Sequence, residues 1–394
     1  MAAREIADRV YSVGTIDWDL RYFDALMPTA WGSSYNAYLI KGSEKTALID
    51  TCKPSDETDF ITNLMRLEQH SLDYIVINHA EQDHSGLVPL LLEVYPGVKI
   101  VTNETCAGLL SVMHHFEEAE NRFIIIGDRE TLSLGDKTLK FYPSPWVHWP
   151  DTMFTEVVED KVLFTTDFLG THYAASALFQ DDESSAYLEA AKRYYAAIMM
   201  PFRSSVQDHL KLIDEIAPKF ICPGHGPVLS MPAKIIDLYR RWSSDKPQNL
   251  VVVAYVSMHG STKFMTNFLV DDLVQRGIPV QQYNLLETDT GILGSAVVDA
   301  ATIILATPTV IFGPHPVAVN TAYLIRTIRP KAKHLGVIGS YGWGTNAVDY
   351  LGEMLSPLGA EMLEPVYIKG LPEENAISAL RAMADAIEER HKTL

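Results

Sequence analysis

This sequence of 394 residues contains few cysteines, no excess of positive charge and no long apolar run. Its three cysteines, Cys52, Cys106 and Cys222, have no Cys-x-x-Cys spacing, which excludes a local cysteine-only zinc or iron–sulfur site and predicts reduced thiols in a cytoplasmic protein. No run of about 18 uncharged apolar residues occurs, so we expect no membrane span. A net charge of −18 repels phosphate backbones and argues against nucleic acid as a partner. Any bound metal must therefore rely on histidines and carboxylates.

The two halves of the chain differ in their pattern of secondary structure. The first half has short apolar strands that end in polar loops, such as the pair at 35–40 and 46–50 around a turn. At 242–249 the chain becomes polar and contains a proline, which predicts one domain at 1–246 and a second at 249–394. The second half alternates five strands with helices, one of them expected at 294–300. This alternation predicts an α/β fold with a doubly wound parallel sheet.

A short segment after an apolar strand, from Asn78 to Gly86, is rich in potential metal ligands. It contains His79, Glu81, Asp83 and His84 within six residues. In extended geometry the first three would share one side of the chain, because side chains alternate along a strand. Carboxylates crowded in this way are costly to bury without a cation, since they repel one another.

Three further candidates follow at the ends of predicted strands, namely His148, Asp167 and His225. A single histidine or aspartate in such a place is more often a cap or a buried polar group that is already hydrogen-bonded. The joint order of a ligand-rich segment followed by His, Asp and His is hard to obtain by chance, and it predicts a metal site. A set of imidazoles and carboxylates without a thiolate suits iron or manganese.

The pattern His-x-Glu-x-Asp-His followed by His, Asp and His resembles the metallo-β-lactamase superfamily, whose hydrolases more usually carry His-x-His-x-Asp-His. Glu81 replaces the second histidine, and this departure resembles the flavodiiron family. The segments Val147-His-Trp-Pro-Asp-Thr-Met153 and Tyr194-Tyr-Ala-Ala-Ile198 resemble motifs of the same family. The resemblance implies an αββα metallo-β-lactamase-like sandwich followed by a flavodoxin-like domain.

The same resemblance implies a role for each candidate ligand. One iron would be bound by three side chains, which are His79, Glu81 and His148. The other would be bound by Asp83, His84 and His225, with Asp167 bridging the two ions. Two residues match positions beside the open face of the metal pair, where they could donate protons or hydrogen bonds to substrate, namely His172 and Tyr194. Without the resemblance, His172 and Tyr194 are almost as well explained as ordinary buried polar residues.

Three loops of the second half follow predicted strands at the edge where a doubly wound fold binds its ligand. The first precedes a helix, whose N-terminus with small hydroxyl residues makes an anion site sized for one phosphate. The loops resemble those of flavodoxin, with His259 where tryptophan is common, and imply bound FMN. The candidate FMN-binding residues are Ser257, Met258, His259, Gly260, Ser261, Thr262, Thr307, Pro308, Thr309, Val310, Phe312, Gly313, Ser340, Tyr341, Gly342, Trp343 and Gly344.

By resemblance, the chain would be an oxidoreductase that reduces dioxygen to water or nitric oxide to nitrous oxide, with electrons delivered through FMN to two irons. Both gases stay open as substrates, and we favour dioxygen. Rubredoxin, a reduced deazaflavin coenzyme and a flavin reductase stay open as electron donors. The family implies a head-to-tail homodimer or a dimer of dimers. Two alternatives are a dinuclear metallo-hydrolase that carries a flavodoxin-like domain and a non-enzymatic electron carrier.

Overall fold

The computed structural model describes residues 3–114, 122–180 and 184–394. The chain divides into two compact units, the first formed by Met1–Tyr195 and Phe202–Ser243 and the second by Ala196–Pro201 and Ser244–Leu394. Within the described residues no helix combines the length and apolar character needed to cross a membrane.

The first unit contains two large sheets and two short two-stranded sheets. Its strands in chain order are β1 (Arg4–Ala7), β2 (Val10–Ser12), β3 (Thr15–Asp17), β4 (Tyr22–Phe23), β5 (Met27–Pro28), β6 (Ser33–Tyr35), β7 (Tyr38–Lys41), β8 (Thr46–Ile49), β9 (Tyr74–Val76), β10 (Lys99–Thr102), β11 (Phe123–Ile125), β12 (Thr131–Ser133), β13 (Thr138–Pro143), β14 (Met153–Val157), β15 (Val162–Thr166) and β16 (Phe220–Pro223). One sheet has the order β1-β2-β7-β8-β9-β10-β11 and the other β12-β13-β14-β15-β16, while β3 pairs with β6 and β4 with β5.

Helices cover the outer faces of these sheets. They are α1 (Glu57–Arg66), α3 (Val88–Val94), α4 (Glu104–His114), α5 (Ser185–Tyr194), α6 (Arg203–Ile216) and α7 (Ala233–Ser243), while α2 (Gln82–Ser85) is a single turn in the segment after β9. A π-helical turn at Tyr195–Met199 follows α5, and its residues from Ala196 onward are assigned to the second unit. Alternation along the strands explains the layers: in β7, Tyr38 and Ile40 pack against the second sheet, whereas Leu39 packs in the cluster that includes helix residues such as Phe60. The result is the predicted αββα sandwich.

The second unit is a parallel sheet with helices on its faces. Its elements are β17 (Gln248–Tyr255), α8 (Ser261–Gln275), β18 (Val280–Asn284), α9 (Thr290–Val297), β19 (Ala300–Val310), β20 (Gly313–Pro314), α10 (Pro316–Ile328), β21 (His334–Tyr341), α11 (Ala347–Leu355), β22 (Glu361–Met362), β23 (Val366–Lys369) and α12 (Glu374–His391). The main order is β18-β17-β19-β21, with β22 and β23 both pairing with β21. This order is that of flavodoxin-like folds, in which ligands bind at the carboxyl ends of the strands.

Two local expectations were wrong. The helix expected at 294–300 spans Thr290–Val297, because the Asp289 side chain accepts a hydrogen bond from Ile292 N and starts the helix early. Ala300 already begins β19. The ligand-rich segment is not extended throughout either, since α2 forms a helical turn that begins directly after Glu81.

Candidate metal centre and flavin cleft

Four of the predicted metal ligands meet at the ends of strands in the first unit. His79 Nε2 lies 3.1 Å from Glu81 Oε2 and 3.5 Å from Asp167 Oδ2. His148 Nε2 lies 3.3 Å from that glutamate oxygen and 3.5 Å from the same aspartate oxygen. Atoms of these four side chains, one from each, all lie within 4.8 Å of one another.

The remaining three predicted ligands form a second group beside the first. His225 Nε2 is 3.2 Å from Asp83 Oδ2, and His84 Nε2 is 3.5 Å from Asp83 Oδ1. Both imidazoles face the other carboxylate oxygen of Asp167, with Oδ1 lying 3.2 Å from His84 Nε2 and 3.3 Å from His225 Nε2. The two oxygens of Asp167 therefore point to separate groups of donor atoms.

The helical turn α2 explains how one short segment serves both groups. His79 and Glu81 precede the turn and belong to the first group, whereas Asp83 and His84 lie within it and belong to the second. Strand alternation alone would have placed Asp83 with His79 and Glu81. A change from extended to helical backbone redirects the later side chains by about 100° per residue, and the segment can therefore reach two ions.

The donor set fits two cations of the first transition series. Donors about 2.1 Å from a common ion lie about 3–3.5 Å from one another, which is the spacing found here. Four buried donor atoms have no hydrogen-bond partner within the described residues, namely Asp83 Oδ1, Asp83 Oδ2, Asp167 Oδ2 and His225 Nε2. Unpaired buried carboxylate oxygens are costly, and bound cations would satisfy them.

Hydrogen bonds behind the ligands orient two of the imidazoles. His79 Nδ1 lies 3.3 Å from both carboxylate oxygens of Asp151, which also accepts a hydrogen bond from Ala80 N at 2.7 Å. His225 Nδ1 donates to Ser34 O at 2.7 Å when it carries the proton. Such contacts fix the ring so that Nε2 faces the metal. The sequence analysis did not select Asp151 or Ser34, although Asp151 ends the His-Trp-Pro-Asp motif.

The predicted metal ligands shift one another's pKa values strongly. Burial lowers the pKa of His148, but hydrogen bonds to Asp167 and Glu81 outweigh it and raise the pKa to about 9. Burial also lowers the pKa of His225, while contacts with Asp167 and Asp83 raise it to about 10. Burial opposes ionisation of Asp167, yet the surrounding imidazoles hold its pKa well below the usual range. Without a cation the histidines carry protons, and a cation must displace them.

The two residues predicted beside the open face lie next to the second group. Tyr194 Oη donates a hydrogen bond to Asp167 Oδ1 at 3.0 Å, and its ring centroid is 4.9 Å from that of His172. The His172 ring is in turn 4.9 Å from His225, and Ser33 Oγ lies 2.8 Å from its Nδ1. Burial and the nearby His225 lower the pKa of His172 well below its ordinary value, so the ring is neutral. Burial and the nearby Asp167 raise the pKa of Tyr194 well above 10, which keeps its proton in place.

A cavity of about 570 Å³ opens onto the metal ligands Glu81 and Asp83. Its other lining residues are Leu20, Tyr22, Phe23, Asp24, Tyr35, Lys53, Pro54, Gln82, Met113 and Trp149. The sequence analysis missed these residues, because most of them lie far from the motifs in the chain. Gln82 and Trp149 are exceptions, since Gln82 lies between Glu81 and Asp83 and Trp149 directly follows His148. The cavity leaves room for a small substrate at the open side of the ligand set.

In the second unit, the N-terminus of α8 presents the features of a phosphate site. Ser257 Oγ accepts hydrogen bonds from Gly260 N and Lys263 N, each at 3.2 Å, which holds the loop in a tight turn. Gly260 has φ +95°, a conformation that glycine adopts without strain. Thr262 Oγ1 is buried at the helix start and has no hydrogen-bond partner in the described part of the chain. A phosphate oxygen would satisfy this hydroxyl and the free helix N–H groups.

A cleft of about 350 Å³ lies beside this helix start. Its lining includes ten of the predicted residues, Ser257, Met258, His259, Ser261, Thr262, Pro308, Thr309, Ser340, Tyr341 and Gly342. Gly370 and Leu371 also line it, and the sequence analysis missed them because the loop after β23 contains no recognised motif. The pairing of β23 with β21 brings that loop to the cleft.

Seven predicted FMN residues do not line the cleft. They are Gly260, Thr307, Val310, Phe312, Gly313, Trp343 and Gly344. Several of them shape the loops instead. Thr307 Oγ1 accepts a hydrogen bond from His315 N at 3.1 Å, and the Phe312 and Trp343 rings stack with centroids 6.0 Å apart. A side chain at Gly344 would lie 3.1 Å from the Phe312 ring, so the missing Cβ leaves space for this stacking.

Comparison with known proteins agrees with the folds of both units. Residues 34–226 match a family model described as ODP family β-lactamase, and residues 253–382 match flavodoxin. The nitric oxide reductase of Moorella thermoacetica is 34% identical, over 91% of this chain and 90% of that protein.

Solved structures extend the likeness to the whole chain. The rubredoxin oxygen:oxidoreductase of Desulfovibrio gigas superimposes with a TM-score of 0.94 at 32% identity, covering 99% of both chains. The flavodiiron protein of Giardia intestinalis superimposes with a TM-score of 0.88 at 27% identity, covering 99% of this chain and 98% of that one. This chain therefore belongs to the flavodiiron proteins, oxidoreductases whose cofactors are a pair of iron ions and FMN.

Proposed function

We propose that this protein reduces dioxygen to water or nitric oxide to nitrous oxide at the seven-residue metal site, with electrons supplied through FMN in the cleft of the second unit. One observation carries the proposal. The two oxygens of Asp167 face separate groups of donors, at 3.5 Å from His79 and His148 on one side and 3.2–3.3 Å from His84 and His225 on the other. A carboxylate in this position can bridge two ions closely enough for both to contact one small molecule.

The residues divide between the two ions as follows. His79, Glu81 and His148 would hold one iron, and the other would be held by Asp83, His84 and His225. The irons and FMN supply the electrons that reduce the substrate, which is chemistry that no side chain offers. Glu81 gives the first group an oxygen donor where zinc hydrolases more usually have an imidazole, and a harder donor favours iron.

The chain also controls protons near the site. Reduction of dioxygen to two waters consumes four electrons and four protons, and coupling of two nitric oxide molecules to nitrous oxide and water consumes two of each. Tyr194 keeps its proton and donates a hydrogen bond to Asp167 Oδ1 at 3.0 Å, so it holds that carboxylate in place. His172 is neutral, and its buried Nε2 has no hydrogen-bond partner within the described residues. His172 does not line the cavity, but its ring centroid lies 4.3 Å from that of Phe23, which does, so we assign to Nε2 a hydrogen bond to substrate or to water that enters from the cavity.

The substrate and the electron donor follow from relatives and not from particular side chains. Relatives carry the names nitric oxide reductase and rubredoxin oxygen:oxidoreductase, so both gases are candidate substrates here, with dioxygen favoured. Rubredoxin, a reduced deazaflavin coenzyme or a flavin reductase would supply electrons. We also propose a cytoplasmic location, because the three cysteines are free and buried, as suits a reducing compartment.

We propose that the protein assembles as a head-to-tail homodimer or a dimer of such dimers. Exposed apolar side chains at the flavin loops support an interface there, including Trp343 at 76% and Leu371 at 75% exposure. A charge introduced at Trp343 should yield a monomer that retains iron and FMN but loses turnover. Full activity in a monomer, measured with ultracentrifugation on the same sample, would contradict this assembly.

Anaerobic stopped-flow spectroscopy tests the catalytic proposal. The iron- and FMN-loaded protein is reduced, mixed separately with dioxygen and nitric oxide, and followed by flavin reoxidation and gas consumption, then repeated with each candidate donor. We expect rapid reoxidation by at least one gas, and loss of iron and gas consumption in Asp167→Ala. The exposed Asp237→Ala serves as the matched control. Zinc without iron, together with esterase or lactamase activity, would favour the metallo-hydrolase; iron and FMN without gas consumption would favour the electron carrier.

A further inference from the structure

His84 differs from its neighbouring imidazoles in how its ring is held. Its backbone is fixed, because Thr51 N and Thr51 Oγ1 both donate to His84 O, at 2.6 and 2.9 Å. His79 Nδ1 contacts Asp151 and His225 Nδ1 contacts Ser34 O, but His84 Nδ1 is buried without a hydrogen-bond partner among the described residues. No hydrogen bond behind the ring therefore sets its orientation, and packing has to do so.

The rings of His79 and His225 pack against this ring, and so does Gly224, in the tight loop that precedes His225. A Cβ atom at Gly224 would lie 2.5 Å from His84 Cε1 and 3.1 Å from His84 Nδ1. Real Cβ atoms do not approach other heavy atoms to 2.5 Å, so a side chain there and the present imidazole position exclude each other. Because Gly224 has no Cβ, the imidazole ring of His84 can occupy this space.

The backbone of Gly224 cannot move away to relieve such a clash. Gly224 N donates to Thr166 O at 2.5 Å, and Asn36 N donates to Gly224 O at 2.8 Å. Gly224 also lacks the positive φ that would call for glycine on conformational grounds. Its requirement is steric, and the side chain that an added Cβ would displace is the imidazole of His84.

From these contacts we propose that Gly224 is a positioning residue that decides whether His84 reaches the second ion, an inference that rests on the proposed diiron function. An alanine at this position pushes the imidazole away, and no hydrogen bond at Nδ1 draws it back. The second ion then keeps Asp83, His225 and Asp167 and loses one nitrogen donor. The glycine thus sets the coordination number of one iron without contacting the metal.

The test compares Gly224→Ala, His84→Ala and the double variant with the wild type, each loaded with iron and FMN. Gly108→Ala is the control, because a Cβ there meets no atom of the described residues within 4 Å outside its own stretch of helix backbone. Mössbauer and electron paramagnetic resonance spectra report the ligand field of each iron independently of turnover. We expect Gly224→Ala to alter the signal of one iron in the same way as His84→Ala, and the double variant to match His84→Ala.

Two outcomes would overturn the inference. One is a Gly224→Ala spectrum identical to the wild type; the other is a double variant that differs from His84→Ala, because the effect would then pass through Thr166, whose carbonyl carbon lies 3.2 Å from the added Cβ. If Gly224→Ala fails to fold, a folded double variant supports the pairing and an unfolded one refutes it. A wild type without a diiron signal would instead defeat the proposed function.

Discussion

Tyr194 donates a hydrogen bond from its hydroxyl to Asp167 Oδ1, the carboxylate oxygen that faces the second group of metal ligands. Both side chains are buried, and the pKa of the tyrosine lies well above 10, so the bond persists across the physiological pH range. The carboxylate is therefore held by a neutral donor on one side and by imidazoles on the others. This contact joins the α5 helix to Asp167, the residue proposed to bridge the two ions.

The substitution Tyr194→Phe removes this donor and leaves the ring. We expect iron content to stay near that of the wild type and the rate of gas reduction to fall about 10- to 100-fold, as for other contacts behind metal ligands. Steady-state gas electrode measurements and iron analysis provide the test. Tyr187→Phe on the same helix is the control, because it also removes a buried tyrosine hydroxyl, but one that contacts Thr171 and not Asp167. Equal rates in both variants would remove Tyr194 from the proton and hydrogen-bond scheme.

The substitution Asp151→Ala should weaken iron binding. The carboxylate supports His79 Nδ1 from both oxygens and also holds Ala80 N, so its loss frees the ring and the loop together. We expect a fall in iron affinity of about 10- to 100-fold. Competition with a chromophoric chelator measures this directly. The exposed Asp237→Ala again serves as control, and an unchanged affinity in Asp151→Ala would show that packing alone orients His79.

The substitution Glu81→His should shift metal preference toward zinc. It restores the imidazole that zinc hydrolases more usually carry and removes an oxygen donor that lies 3.1 Å from His79 Nε2 and 3.3 Å from His148 Nε2. Elemental analysis after expression with equal supplies of both metals gives the ratio. We expect more zinc and less iron than in the wild type. The same ratio in both proteins would count against a selective role for this residue.

The metal-free protein should lose stability as pH rises above neutrality. His148 and His225, with pKa values of about 9 and 10 in the fold, stabilise it fully below their ordinary value near 6.5. This contribution disappears as pH passes through about 9 to 10, where the folded protein releases those protons. We expect the Tm of the metal-free protein to fall between pH 7 and 10. The iron-loaded protein, whose ligating imidazoles are already neutral, should lack this dependence.

Protons and iron compete for the same histidine nitrogens, so pH should control how iron is bound and released. Iron loading at pH 7 should release protons, because the histidines must become neutral to bind it, and acidification should release the metal. A pH indicator in weakly buffered solution and chelator trapping measure the two effects. Loading without proton release, or tight retention of iron at strongly acidic pH, would contradict the ligand set.

The substitution Thr262→Val should weaken FMN binding. It keeps the shape of the side chain at the start of α8 but removes the buried hydroxyl that has no partner in the described protein. Loss of a hydrogen bond to a charged phosphate costs about 1.5–3 kcal/mol, which corresponds to roughly a 10- to 150-fold increase in Kd. Flavin fluorescence titration of the FMN-free protein measures it. Thr266→Val, one turn further along the helix and outside the cleft lining, is the matched control.

Local sequence patterns predicted much of the fold. The apolar segment predicted at 46–50 forms β8 at Thr46–Ile49, and the predicted alternation of strand and helix in the second half forms the parallel sheet of the second unit. These elements depend on hydrophobic periodicity and on turn residues, which act over a few positions of the chain. The chemical types of the metal ligands could also be predicted, because histidines and carboxylates cluster in a short segment and recur at strand ends.

Local periodicity did not predict how these side chains are grouped; the family resemblance implied the grouping, and the tertiary structure shows what produces it. Alternation predicted one face for His79, Glu81 and Asp83, but the helical turn at Gln82–Ser85 separates Asp83 from the other two. The placement of Asp167 between both groups depends on the packing of two sheets, and the approach of Gly224 to His84 depends on strands far apart in the chain. Contacts between residues distant in sequence leave no periodic signal, so local patterns could name the ligands, whereas their division between two ions came only from the family resemblance and has its physical basis in the tertiary structure.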